Sequence, residues 1–256
     1  MAKVRTLVLR VPGTNCDVET AFAFQQAGAE ASLVHINQLI HHEQRLADYQ
    51  ILVIPGGFTY GDDIAAGKVL ANELRLKLGE DMERFIESGG LALGICNGFQ
   101  VLVKAGFLPE LSDDGSPLLT LAANDSGKFE CRWVHLAVNK ESPCVFTRGI
   151  DRMYLPVAHA EGKVVADPEV LSQLNVVLYY TDEHGNNKVG YPHNPNGSVG
   201  NIAGICDASG RIFALMPHPE RHIRGIQHPR WTRLGAKEYG DGFLIFRNAV
   251  EWVLSR

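Results

Sequence analysis

The chain has 256 residues, of which 45 % are hydrophobic and 21 % are charged, and its formal net charge is -5. These values are ordinary for a folded globular protein and exclude the disordered and fibrous classes. The net negative charge offers no broad basic surface, so we expect neither nucleic acid nor membrane lipid as a partner. The length favours one domain with insertions over two separate domains.

The cysteines and the termini indicate the compartment. The five cysteines are Cys16, Cys96, Cys131, Cys144 and Cys206. Their odd number and the absence of a C-x-x-C pair argue against a disulfide framework and against a zinc site. The N-terminus lacks the pattern of a secretory signal, and no run of about 18 apolar residues occurs. We therefore expect a cytoplasmic protein without a metal, in which most cysteines are core residues.

The first half of the chain is predicted to alternate strands with helices. Short apolar runs at residues 6–11, 51–54 and 91–93 each end at glycine or proline, which is typical of parallel strands covered on both faces. Residues 17–27 and 69–88 are predicted helices, the second with a break considered at Gly79. A mostly parallel sheet with helices on both faces follows from this order.

From about Phe129 the pattern changes. The alternation over residues 129–138 predicts a strand, and several short strands with turn-rich links follow it, so we expect an antiparallel extension of the sheet. Residues 190–198 are dense in turn formers and are predicted to be a loop. A strand at 212–216 runs into Pro217, and residues 242–254 are predicted to form a helix against the sheet.

The most informative motif is the sequence Gly-Ile-Cys-Asn-Gly at residues 94–98. A G-x-nucleophile-x-G turn between a strand and a helix projects its central side chain from a strained corner. The N-terminus of the following helix favours negative charge at that point. These two features predict that Cys96 is a reactive thiolate.

A base for this thiol is predicted at the end of another strand. In open α/β sheets the functional groups gather beyond the carboxyl ends of the strands, where both Cys96 and His218 are placed. Glu220 stands two residues after His218 on an extended segment, so both side chains are expected to point the same way. This arrangement predicts a Cys96–His218–Glu220 relay, with His222 and His228 as reserve bases.

Acyl transfer through a thioester also requires donors for an oxyanion. The backbone N–H of Asn97 is one candidate, and Gly56 and Gly57, which follow the strand at 51–54, supply others. The two glycines alone could equally form an ordinary turn. Cys16 lies in a loop but keeps a structural interpretation, like the remaining cysteines.

Several segments together resemble the class I (triad) glutamine amidotransferases. The matching strings are PGGFTYGD at 55–62, LGICNGFQ at 93–100 and MPHPER at 216–221, and GTNCD at 13–17 is similar as well. The first two strings are most similar to the branch of the family that supplies ammonia in de novo purine synthesis. The resemblance runs in order from about residue 4 to 223, and residues 159–162 have Ala160 where the family pattern has glycine.

The resemblance implies a flavodoxin-like amidotransferase fold that covers residues 1–256 as one domain, with a core at about 4–223 and an extension at about 224–256. It implies that Cys96 attacks L-glutamine, that His218 transfers protons, and that Glu220 orients His218. The other residues implied to contact the substrate are Gly56, Gly57, Asn97 and Gln100.

The same resemblance implies that ammonia passes through a tunnel to a large synthetase subunit. That subunit uses ATP and Mg²⁺ to convert formylglycinamide ribonucleotide to the amidine, and a small third subunit completes the assembly. No cofactor is expected on this chain. Two alternatives remain: a stand-alone cysteine hydrolase or peptidase of similar fold, and a catalytically silent assembly module.

Overall fold

The computed structural model describes residues 3–112, 115–235 and 237–256. The strands in chain order are β1 (Arg5–Arg10), β2 (Glu30–His35), β3 (Ile51–Ile54), β4 (Leu91–Ile95), β5 (Leu119–Ala123), β6 (Glu130–Val138), β7 (Arg152–His159), β8 (Glu161–Ala166), β9 (Asn175–Thr181), β10 (Ile202–Cys206) and β11 (Ile212–Leu215). The α-helices are α1 (Asp17–Gln26), α2 (Ile36–Ile40), α3 (Lys68–Glu87), α4 (Asn97–Ala105), α5 (Pro168–Gln173), α6 (Trp231–Leu234) and α7 (Phe243–Leu254).

Within the described residues, nine strands form one sheet in the order β2-β1-β3-β4-β11-β10-β9-β6-β7. Neighbouring strands from β2 to β11 pair in parallel. From β11 to β7 every pairing is antiparallel. The predicted parallel sheet with an antiparallel extension is therefore confirmed, and β5 pairs with β8 in a separate two-stranded sheet.

Helices cover both faces of the parallel half. The crossover from β1 to β2 runs along the sheet in the opposite direction to the crossover from β3 to β4. Because such crossovers are right-handed, they place α1 and α3 on opposite faces. The ring of Phe24 on α1 meets that of Phe246 on α7 edge to face, with 5.0 Å between centroids. The helix α4 packs beside α3.

Two features of the first half differ from the sequence-based expectation. The helix α3 continues through Gly79, so the break considered there does not occur. Its buried side chains, among them Leu74, Leu78 and Met82, hold one face on the core on both sides of that glycine. The sequence contains no apolar run that would predict strand β2, because β2 is a half-exposed edge strand.

The C-terminal extension contributes to the core. Helix α7 buries Phe243, Ile245, Phe246, Ala249 and Val250, which join the same cluster of buried apolar side chains as the central strands. This packing supports the proposal of a single domain over residues 1–256. Among the described residues, no helix is both long and apolar enough to cross a membrane.

The sheet order brings four loops together. The strands β1, β3, β4 and β11 are consecutive in the sheet and parallel. Their carboxyl ends therefore open on one edge, where the loops that follow them carry Cys16, Gly56 and Gly57, Cys96, and His218. The connections that leave β1 and β3 run in opposite directions along the sheet. Open α/β sheets bind ligands at the point where the direction reverses.

Candidate active site

Cys96 occupies a strained corner between β4 and α4. Its φ of 51° and ψ of -102° lie in a region that residues other than glycine rarely adopt. The flanking glycines allow the helix to approach the sheet, since a Cβ on Gly98 would lie 1.9 Å from the carbonyl oxygen of Ile54. The backbone N–H of Cys96 donates to the carbonyl of Leu215 at 2.8 Å. The predicted elbow is present.

His218 and Glu220 form a buried pair. The distance from His218 Nδ1 to Glu220 Oε1 is 2.6 Å, and each residue is 1 % exposed. The backbone N–H of His218 donates to the carbonyl of Pro156 at 2.8 Å, which anchors this segment on β7. On the other side of the ring, Nε2 is buried and has no hydrogen-bond partner among the described residues. That nitrogen is available to exchange a proton.

The charges around His218 favour the imidazolium. Burial alone would lower the pKa of His218, but the Glu220 carboxylate, the Cys96 sulfur and the contact of Nδ1 with the Cys16 sulfur hold that pKa well above its ordinary value. Cys96 is 5 % exposed, so water screens this charge pair poorly. The arrangement can hold a thiolate beside an imidazolium, which is the reactive form of a cysteine nucleophile.

Two backbone N–H groups near the nucleophile lack a backbone acceptor among the described residues. In the described part of the chain, neither the N–H of Gly57 nor that of Asn97 donates to a backbone oxygen. The Gly56 carbonyl accepts from the N–H of Cys16 at 3.1 Å. Because the two ends of a trans peptide point in opposite directions, this bond turns the Gly57 N–H away from that loop. Gly57 has a φ of 152°, which favours glycine.

The side chains of Asn97 and Gln100 bind protein groups. Asn97 Oδ1 accepts from the Thr59 hydroxyl at 2.8 Å, and Asn97 Nδ2 donates to Gln100 Oε1 at 2.9 Å. Gln100 Nε2 donates to the carbonyl of Glu161 at 2.7 Å. Both ends of the Gln100 side chain are thus occupied, and its contact with substrate stays a prediction.

Two residues that the sequence analysis did not place in the site belong to the same cluster. Cys16 is fully buried, with Sγ 3.9 Å from His218 Nδ1. Arg221 Nη2 donates to Cys16 Sγ at 3.0 Å. The GTNCD string at 13–17 was the available signal for Cys16. Its meaning depends on β1 lying beside β3, which the sequence pattern does not reveal.

Other histidines have different surroundings. His222 Nδ1 donates to the Tyr154 carbonyl at 2.9 Å, and its ring packs on Trp133 and His228. Neither reserve base contacts Cys96 in the described hydrogen bonds. Burial, with a smaller contribution from the His218 charge, lowers the pKa of His159 to about 3, so that histidine is neutral.

The donor atoms of Cys16, His218 and Glu220 lie within 4.8 Å of one another, as in a metal site. Arg221, however, places a fixed positive charge against the sulfur, and Glu220 already binds His218. We assign no metal ligands here, and the expected absence of a metal stays a prediction.

Comparison with known proteins gives a consistent result. Residues 3–253 match the family model described as the CobB/CobQ-like glutamine amidotransferase domain. A protein of Dehalococcoides mccartyi named phosphoribosylformylglycinamidine synthase subunit PurQ is 63 % identical over 252 residues, which cover 98 % of each chain. The PurQ subunit of Methanococcus maripaludis is 46 % identical, with 97 % of each chain covered.

The fold has solved counterparts. A chain in the structure of PurLQS from Thermotoga maritima superposes with a TM-score of 0.75 at 33 % identity, over 98 % of this chain and 100 % of that one. A glutamine amidotransferase from the same organism, at 16 % identity and a TM-score of 0.52, shares the fold. The chain therefore belongs to the CobB/CobQ-like glutamine amidotransferase family and, within it, to the PurQ subunits of phosphoribosylformylglycinamidine synthase.

Proposed function

We propose that this chain is a glutaminase subunit that hydrolyses L-glutamine to glutamate and ammonia through a thioester on Cys96. The observation that carries the proposal is the buried His218–Glu220 pair, with 2.6 Å between Nδ1 and Oε1, whose remaining ring nitrogen has no partner beside the Cys96 elbow. A thiolate, a proton carrier and a group that orients the carrier are the parts that amide cleavage by cysteine requires.

The steps follow from the roles of these groups. The Cys96 thiolate attacks the side-chain carbonyl of glutamine, and the oxyanion is stabilised by the N–H groups of Gly57 and Asn97. The His218 imidazolium then gives its proton to the leaving nitrogen, so that ammonia departs and the thioester forms. Neutral His218 next removes a proton from water, which attacks the thioester and releases glutamate. Glu220 stabilises the positive charge on His218 in both halves of the cycle.

The ammonia acceptor is proposed from the relatives. As a PurQ subunit of phosphoribosylformylglycinamidine synthase, the chain would deliver ammonia to a large synthetase subunit that converts formylglycinamide ribonucleotide to formylglycinamidine ribonucleotide. ATP and Mg²⁺ would act on that synthetase, and no cofactor is proposed for this chain. A small third subunit of the complex and a cytoplasmic location complete the proposal.

A glutaminase assay tests this function directly. Wild type, Cys96→Ala and Cys206→Ser are compared with and without the synthetase, and Cys206 serves as the control because it is a buried cysteine on β10. We expect Cys96→Ala to lose at least about 1,000-fold in kcat, while Cys206→Ser stays within about 3-fold of wild type. Glutaminase activity that survives in Cys96→Ala, or hydrolysis of peptides as fast as of glutamine, would contradict the proposal.

A further inference from the structure

The mechanism above leaves one buried cysteine of the site without a role. Cys16 lies in the loop after β1, and its Sγ contacts Asn15 Oδ1 at 3.1 Å, Arg221 Nη2 at 3.0 Å and His218 Nδ1 at 3.9 Å. Its backbone N–H also holds the Gly56 carbonyl at 3.1 Å. Cys16 therefore touches the catalytic histidine from the side opposite to its free Nε2.

The contacts determine where the thiol proton goes. Burial raises the pKa of Cys16, so its sulfur is a neutral thiol. The thiol donates to Asn15 Oδ1, because that oxygen can only accept, and the sulfur accepts from the Arg221 guanidinium, which can only donate. A protonated sulfur engaged on both sides is a poor nucleophile, so Cys16 is not a second reactive thiol.

Arg221 stands next to an open acceptor. Its Nε lies 3.9 Å from Glu220 Oε1, well beyond the length of a charge-assisted hydrogen bond of about 2.7–2.9 Å. The second oxygen of that carboxylate, Oε2, is buried and has no hydrogen-bond partner among the described residues. A guanidinium released from Cys16 needs to move only a short distance to donate to this carboxylate.

We propose that Cys16 is a positioning residue: its sulfur holds the Arg221 guanidinium away from Glu220, so that the Glu220 carboxylate interacts with His218 alone. The role rests on the proposed glutaminase function, because it acts through the catalytic histidine. It also explains why a buried cysteine, rather than a smaller apolar residue, stands in the loop after β1.

The consequence for catalysis follows from the charges that face each group. His218 is faced by Cys96, Glu220, Cys16 and, more remotely, neutral His159. Arg221 is faced by Cys16, Glu220 and Glu19. If the sulfur is removed, Arg221 binds Glu220 and neutralises part of the charge that holds the proton on His218. The imidazolium then loses its proton at lower pH.

The test is a set of pH profiles on the full chain in its complex with the synthetase, with L-glutamine as substrate. The variants are Cys16→Ala, Cys16→Ser, Arg221→Gln and the double variant Cys16→Ala with Arg221→Gln. We expect Cys16→Ala to lower kcat about 3- to 10-fold with KM nearly unchanged, and to move the alkaline limb of kcat/KM down by about 0.5–1 pH unit.

The other variants distinguish restraint of Arg221 from simple packing. Cys16→Ser keeps an acceptor for Arg221 and should leave the limb near its wild-type position. Arg221→Gln alone should leave it there or higher. The double variant should restore most of the shift caused by Cys16→Ala, because the competing cation is gone and only the direct contact of Cys16 with His218 is still missing. A packing defect would not be rescued by a second substitution. If Cys16→Ala does not fold, Cys16→Val, which fills the space of the thiol but offers Arg221 no acceptor, replaces it in the same comparison.

An unmoved limb in Cys16→Ala, a lowered limb in Cys16→Ser or Arg221→Gln, or a double variant no better than Cys16→Ala would overturn the proposal. Cys206→Ser is the matched control for loss of a buried thiol, and thermal unfolding of every variant checks the fold. Cys96→Ala separates the two hypotheses: if it remains active, the glutaminase function itself fails, whereas if it is inactive and the limb does not move, only the role of Cys16 fails.

Discussion

At the scale of single residues, the site depends on backbone placement as much as on side chains. Cys96 keeps a left-handed φ because the Leu215 carbonyl and the packing of α4 fix the residues around it. The His218 ring is held at Nδ1 by Glu220, which leaves Nε2 as the reacting nitrogen. The same carboxylate sets the protonation state of the ring.

Glu220→Gln should therefore shift the pH dependence of glutamine hydrolysis. The pKa of His218 is raised by the carboxylate against the effect of burial, so removal of that charge lowers the pKa. Wild-type activity should persist above the ordinary histidine range and fall as the pH rises through the raised pKa. The variant should lose activity at lower pH, with kcat reduced about 10²- to 10⁴-fold. Profiles of kcat/KM measure this, with Glu251→Gln on the exposed face of α7 as the control. An alkaline limb that stays in place in Glu220→Gln would contradict the role of Glu220.

At the scale of elements, close approach of α4 to the sheet positions the nucleophile. Gly98 is the contact point, since its Cα faces the end of β3 at the Ile54 carbonyl. The glycine in α3, Gly79, has a different role: a Cβ there would meet nothing within 4 Å. Packing against β3 thus requires glycine at position 98 but not at position 79, although the sequence pattern does not distinguish the two positions.

Paired substitutions test this contrast. Gly98→Ala forces the helix away from β3 and should lower the free energy of unfolding by about 2–3 kcal/mol, with loss of glutaminase activity. Gly79→Ala, in open space in a helix interior, should raise it by about 0.5–1 kcal/mol with unchanged activity. Urea unfolding measures the change in the free energy of unfolding, and a glutaminase assay of the same variants measures the change in activity. Equal effects of the two substitutions on the free energy of unfolding would contradict a close contact between α4 and β3.

At the scale of the whole molecule, strand order assembles the site. The residues that meet are far apart in the chain: 202 positions separate Cys16 from His218. The sequence predicted the strands with continuous apolar runs, the nucleophile elbow and the His218–Glu220 pair, because each depends on local pattern. It could not predict the edge strand β2 or the contacts of Cys16 and Arg221, because these depend on which strands become neighbours in the sheet.

The C-terminal extension belongs to this larger scale. Phe246 on α7 is fully buried against Phe24, so Phe246→Ala should lower the free energy of unfolding by about 3–5 kcal/mol. Leu254→Ala at the end of the same helix, where the side chain is 59 % exposed, should change it by less than about 0.5 kcal/mol. Denaturant unfolding of both variants measures the difference. A small effect of Phe246→Ala would mean that α7 is dispensable for the fold, and it would contradict the assignment of this helix to the core.

The most direct test of the central claim is covalent labelling of the full chain by a diazoketone analogue of glutamine, with the modified residue located by peptide mass spectrometry. We predict one labelled cysteine, Cys96, with loss of the label in Cys96→Ala and its retention in Cys206→Ser. Labelling at Cys16 or Cys131 with Cys96 unmodified would contradict the assignment of the nucleophile.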